Sequence, residues 1–140
     1  MVLLVSIYVL MTIFRDIRDN FGVEIWQELG VTDIKIFSET EILIGIAISL
    51  MTGVAFLIKN HKNALWFNHG LIFGGCILML LGTLLYNGGS ITGYWWMVWN
   101  GLGLYMVYVP FNGILFDRLL AALNERGNVG FLFYTADFCG

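Results

Sequence analysis

Seventeen consecutive residues, Ile42 to Ile58, carry no charge. A run of that length, largely apolar, is what a helix needs to cross a hydrocarbon layer, about 17–25 residues. The rest of the chain repeats the pattern. Residues 64–86 and 91–116 contain no Asp, Glu, Lys or Arg, and the charges gather at 15–41, 59–62, 117–126 and 137. Hydrophobic residues make up 59% of the 140 and charged residues 12%, against about 25% charged in an ordinary soluble domain. A soluble fold of this size cannot hide so much apolar surface, so lipid is the expected solvent.

The pattern predicts an all-α, polytopic membrane protein with four spans, Met1–Leu29, Ile42–Ile58, Ala64–Tyr86 and Ile91–Phe116. "SETE" (Ser38 to Glu41) reads as a capping box opening the second span, with Ser38 as N-cap and Glu41 as its partner. "KNHKN" (Lys59 to Asn63) reads as a basic turn and "YNGGS" (Tyr86 to Ser90) as a second turn. "YWWMVW" (Tyr94 to Trp99) has the composition of an interfacial aromatic belt. From Val129 the chain becomes apolar again, as the expected start of a fifth helix. Met1 opens directly inside an apolar run with no preceding Lys or Arg, so no signal peptide is expected. The chain reads as a single transmembrane domain, residues 1–140, cut from a longer protein.

Residues 15–41 hold three basic and seven acidic groups, and the formal net charge is −3. No basic patch points to nucleic acid. Cys76 and Cys139 are too few and too far apart for a CxxC site, and both read as reduced. Lys59, Lys62, Arg118 and Arg126 outnumber Lys35 on the other side, which places loops 59–63 and 117–128 in the cytoplasm. An acidic loop, 30–41, then lies outside.

The cluster "RDIRDN" is the main candidate site. At ~100° per residue, Arg15 and Asp19 lie ~40° apart, Asp16 ~100°, Asn20 ~140° and Glu24 ~180° from Arg15, with Arg18 ~60° the other way. A lipid-facing helix cannot carry charge around its whole circumference at low cost. Two readings follow. The charges are embedded and face protein or water, or they form a solvated flank beyond a span ending at Phe14. The fourteen residues before Arg15 reach only ~21 Å, short of a ~30 Å core. Pairing of Arg15 with Asp19 would serve a structural role equally well. Asn20 to Gly22 offers a local break.

In the fourth span Asn100, Tyr108 and Asn112 recur at multiples of four and share one face. Pro110 removes a backbone donor and is expected to kink that helix. Gly101, Gly103 and Gly113 suit close packing, as does the GxxxG stripe Gly70 to Gly74. Asn68 and His69 read as interfacial. His61 and His69 are eight apart and form no metal-binding i,i+4 pair. Phe116 to Gly127 reads as an amphipathic inner extension. No catalytic residue, cofactor loop or metal site is legible.

A helix with intramembrane charges, an acidic outer loop, a helix, a basic inner turn and two further helices resembles the C-terminal half of a major facilitator superfamily transporter. "RDIRDNFGVEIW" and "YMVYVPFNGILFDRLLAA" resemble, more closely, an uncharacterised bacterial membrane-protein family of this type. The resemblance covers the whole chain. It departs at "IKNHKNALW", which lacks the superfamily's usual Gly…Asp-Arg…Arg-Arg loop. It implies a twelve-helix fold in two halves, of which these are the seventh to tenth helices and the start of the eleventh, in the bacterial inner membrane. It also implies a central site between the halves, alternating access, and a small solute as substrate, with a coupling proton. Arg15, Asp16, Arg18, Asp19, Asn20, Glu24, Asn100, Tyr108 and Asn112 are the residues expected near the path. The remainder of the same chain and the bilayer are the expected partners. The alternatives are a membrane scaffold whose charges neutralise one another and, with less in the sequence to favour it, a membrane enzyme.

Overall fold

The computed structural model describes residues 2–31 and 33–111, with Tyr134 and Phe138 beyond them. Every regular element among these is an α-helix: α1 (Val2–Asn20), α2 (Gly22–Glu28), α3 (Ile34–Leu57), α4 (His61–Asn87) and α5 (Gly93–Pro110). Gly113, Phe116 to Gly127, the apolar restart at Val129 and Cys139 lie outside the described residues.

The first expected helix is two helices joined by a bend. Phe21 sits at φ −109°, ψ 17° between α1 and α2. The i to i−4 ladder nevertheless runs through it, with Phe21 N donating to Ile17 O at 3.0 Å and Ile25 N to Phe21 O at 2.9 Å. The bend therefore falls inside the Asn20 to Gly22 break and redirects the chain without stopping it. α2 closes with a Schellman motif: Gly30 takes φ 78°, Val31 N donates to Trp26 O at 2.9 Å and Gly30 N to Gln27 O at 3.0 Å.

The capping box at Ser38 is corrected by the structure. α3 begins at Ile34, where the Asp33 side chain accepts from Lys35 N at 3.0 Å. Asp33 is a strong N-cap in its own right, and Ile36 and Phe37 supply apolar residues that carry the helix past 38–41. The stretch read as loop 30–41 gives way to a connection of five residues, 29–33, Lys35 belongs to the first turn of α3, and Glu41 is released from capping. Asn60 caps α4 in the same way, accepting from Lys62 N at 3.0 Å. The "YNGGS" turn is a second Schellman motif, with Gly89 at φ 68° and Ser90 N donating to Leu85 O at 2.9 Å.

α5 is the central helix and packs on α1, α3 and α4. Its buried residues, among them Met97, Gly101, Leu104 and Val107, point in several directions. α3 offers it a single stripe, Thr40, Ile44, Ile48 and Ala55, at the helical repeat. α4 meets it at glycines. A Cβ on Gly75 would lie 2.5 Å from the Gly103 carbonyl oxygen, and one on Gly103 would lie 2.7 Å from that of Gly75. This backbone-to-backbone approach is what small residues permit. The expected stripe Gly70 to Gly74 is not the one used: nothing lies near Gly70, and Gly74 meets only Met106 Cε at 3.6 Å. The packing register is one residue further on, because it continues from Gly75 to Gly82, which faces Trp99.

Two helices, over Lys35–Leu57 and Lys62–Asn87, are long and apolar enough to cross a membrane. Their outer faces are apolar as well, with Ile46, Leu50 and Phe56 on α3 and Phe73, Ile77 and Leu84 on α4 all exposed. Four spans are not supported among the described residues. α1 carries four charges in its last six residues, and α5 is diluted by Tyr, Trp, Gly and Asn. Cys76 is a free, exposed cysteine.

Candidate functional site

Five charged side chains and two tyrosines meet where α1, α3 and α5 converge. α1 runs antiparallel to α5, so Arg15 and Arg18, three residues apart, face Tyr108 and Tyr105, also three apart. Arg15 stacks over the Tyr108 ring at 4.6 Å, and its Nη1 donates to the Tyr108 hydroxyl. Its Nε and Nη2 donate to Asp16 Oδ1 at 3.0 and 2.7 Å. Tyr108 in turn stacks on Tyr8 at 5.8 Å, and Tyr8 stacks on Phe111 at 5.8 Å.

Arg18 is 8% exposed. Nη2 donates to Glu41 Oε1 at 2.5 Å and Nη1 to Glu41 Oε2 at 3.3 Å. Asp19 Oδ1 lies 3.8 Å from Nη1 and accepts from the Tyr105 hydroxyl at 3.1 Å. The Tyr105 ring centroid is 5.6 Å from the guanidinium carbon. Space for that guanidinium comes from Gly101, where a Cβ would be 2.5 Å from Arg18 Nη2. The Arg18 Nε–H is buried and has no hydrogen-bond partner. The five charges, Arg15, Asp16, Arg18, Asp19 and Glu41, sum to −1.

Two clefts flank this network. One, about 620 Å³, runs between α3 and α5 and is lined by Glu41, Ser49, Thr52 and Tyr105 among apolar residues. The other, about 460 Å³, opens between α1, α2, α4 and α5, with Arg18, Thr83 and Asn100 as polar groups in an otherwise apolar lining that includes Trp96. Arg18 thus borders one cleft and its partner Glu41 the other. Both volumes are in the range of small-molecule sites.

Of the residues singled out from sequence, Arg15, Asp16, Arg18, Asp19 and Tyr108 come together here. The Arg15–Asp19 pairing that a structural role would use is not the one seen: Arg15 turns to Asp16, and Asp19 accepts from Tyr105 and lies beside Arg18. Asn100 lies on the second cleft, but its amide nitrogen donates to Trp96 O at 2.9 Å. Asn20 and Glu24 are exposed: Asn20 is the last residue of α1, ~140° around that helix from Arg15, and Glu24 belongs to α2, beyond the bend at Phe21. Asn112 lies outside the described residues. His69 Nδ1 bonds Leu65 O at 2.8 Å within its own helix, whereas Asn68 is fully buried with neither amide atom partnered. Glu41 and Tyr105 are the members that sequence reading missed. Tyr105 could have been found from its i,i+3 spacing to Tyr108, and Glu41 as the carboxylate immediately before the uncharged run. Among the described residues no three His, Cys, Asp or Glu side chains gather as a metal site.

The chain belongs to a family of unknown function, DUF5690, whose model matches residues 1–140. No curated protein and no solved structure matches it.

Proposed function

We propose that this chain is part of a secondary transporter that moves a small solute across a membrane by alternating access. The observation that carries the reading is the buried Arg18 with its bidentate Glu41, held between two clefts in a bundle whose outer faces are apolar. Ionisable groups at membrane depth are costly and mark solute or proton paths by default. In this reading α3 and α4 cross the bilayer fully. α1 and α5 lie with them, their polar faces turned to protein, as the seventh and tenth helices of a major facilitator-type half would. Lys59 and Lys62 mark the cytoplasmic side of the bacterial inner membrane, and the acidic turn at Asp33 the outer side.

The test is electrical. The complete protein of which this chain is part, in proteoliposomes on a solid-supported membrane, is challenged with organic acids, amines, sugars and amino acids. A solute-specific transient current is expected that Arg18→Gln abolishes while the protein still inserts. Currents absent for every solute, or unchanged in the variant, would remove the reading.

A scaffold is the second reading, because both arginines already have carboxylates within the group. It predicts that a charge-free Arg18→Gln/Glu41→Gln double variant keeps full biological activity.

A further inference from the structure

We propose that the cleft between α1, α2, α4 and α5 binds a monocarboxylate carried on an apolar body, with Arg18 as its anchor. The inference deepens the transport reading and rests on it for the membrane setting. Three observations combine. Arg18 is more than nine-tenths buried and borders this cleft. Both its terminal nitrogens are engaged by Glu41, while its Nε–H has no partner at all. A buried unmet donor on a cation is a large unused interaction. The walls around it are mainly apolar, with Phe14, Ile17 and Leu80 half-exposed at the mouth.

These features specify the ligand. An acceptor must reach a single N–H beside a guanidinium, and a planar carboxylate does this side-on. The remainder of the ligand must tolerate apolar walls, with Thr83 and Asn100 as the other polar side chains within reach. A protonated polyamine offers no acceptor, and a sugar offers acceptors but no apolar body for these walls. Glu41 and Asp19 compete with the ligand for the same guanidinium, Glu41 from α3 and Asp19 from α1. Tyr105 of α5 faces it as a neutral ring. Removing the Glu41 charge should therefore tighten binding.

The experiment is equilibrium binding to the full chain in nanodiscs, by calorimetry, with octanoate, octan-1-ol and octylamine. Octanoate is expected to bind saturably and at least tenfold more tightly than the other two. Glu41→Gln is expected to tighten it, and Arg18→Gln/Glu41→Gln, which removes both charges together, to weaken it at least tenfold. Hexadecanoate offered in the nanodisc lipid separates a membrane-borne carboxylate from a dissolved one; binding of either supports the site, and binding of neither overturns it. Equal binding of octanoate and octan-1-ol also overturns it, on the unaltered protein and whether or not the variants fold. Carboxylate binding without any flux removes the transport reading and leaves the site. Flux of another solute without carboxylate binding does the reverse.

Discussion

Arg18 of α1 and Glu41 of α3 meet through both carboxylate oxygens, at 2.5 and 3.3 Å, directly over the bare backbone of Gly101 on α5. Three helices that are distant in sequence are tied at one point. Arg18 is buried, so removing either partner leaves a charge without compensation in a poorly solvated place.

Arg18→Gln alone is expected to lower stability by about 3 kcal/mol, the low end for breaking a buried pair because Glu41 keeps some access to solvent. Arg18→Leu/Glu41→Leu should recover most of that loss. Thermal unfolding in detergent of Arg18→Leu, Glu41→Leu and the double variant gives the coupling; additive losses would show that the pair contributes nothing of its own.

Gly101→Ala places a methyl group 2.5 Å from Arg18 Nη2 and 2.6 Å from Ile44 Cδ1. Neither neighbour can withdraw freely, since one is held by Glu41 and the other fills the α3–α5 seam. A loss of about 1–3 kcal/mol is expected, as for overpacking elsewhere. Unchanged unfolding of this variant would mean that the guanidinium does not rest on α5.

Gly75 and Gly70 make a matched pair of tests. Gly75→Leu should separate α4 from α5 and prevent a stable fold, because the carbonyl of Gly103 cannot move away from a side chain. A Cβ at Gly70 meets nothing within 4 Å, and Gly70→Leu should unfold like the parent. The opposite ranking would restore the GxxxG stripe read from sequence.

The helical class, the two long apolar helices and the charge cluster were all legible, because composition and period are local properties. Helix starts were less so. Asp33 and Ser38 are both good caps, and choosing between them depends on whether Ile36 and Phe37 find a surface to pack on. The site was half legible for the same reason. Arg15, Arg18 and Tyr108 stand out in their own segments, but Glu41 becomes Arg18's partner only once α3 starts early enough to carry it alongside α1. Glu24 looked equivalent to Asp19 on one continuous helix, and the bend at Phe21 puts it in α2 instead.

Tyr108→Phe and Tyr105→Phe should differ. Tyr108→Phe keeps the ring under Arg15 and loses only the hydroxyl that accepts from Nη1, a stability loss of about 1 kcal/mol. Tyr105→Phe frees Asp19, which is already half-exposed, and its effect on stability should be smaller. Under the transport reading both variants slow the solute-driven current. Parent-like currents in both would confine the tyrosines to packing.

The membrane setting itself can be read with single cysteines in a chain from which Cys76 and Cys139 have been replaced by serine. Ile46 and Phe73 are exposed on the apolar outer faces of α3 and α4, whereas Asp16 and Asp19 are exposed beside the charge network. If lipid covers the outer faces, a membrane-impermeant maleimide should modify Asp16→Cys and Asp19→Cys in vesicles of one orientation and leave Ile46→Cys and Phe73→Cys untouched until detergent is added. Water at the two aspartates and lipid at the two apolar positions is the arrangement that a hydrated path in a bundle requires. Equal labelling at all four positions in intact vesicles would mean that α3 and α4 do not meet lipid, and would remove the basis for placing this chain in a bilayer.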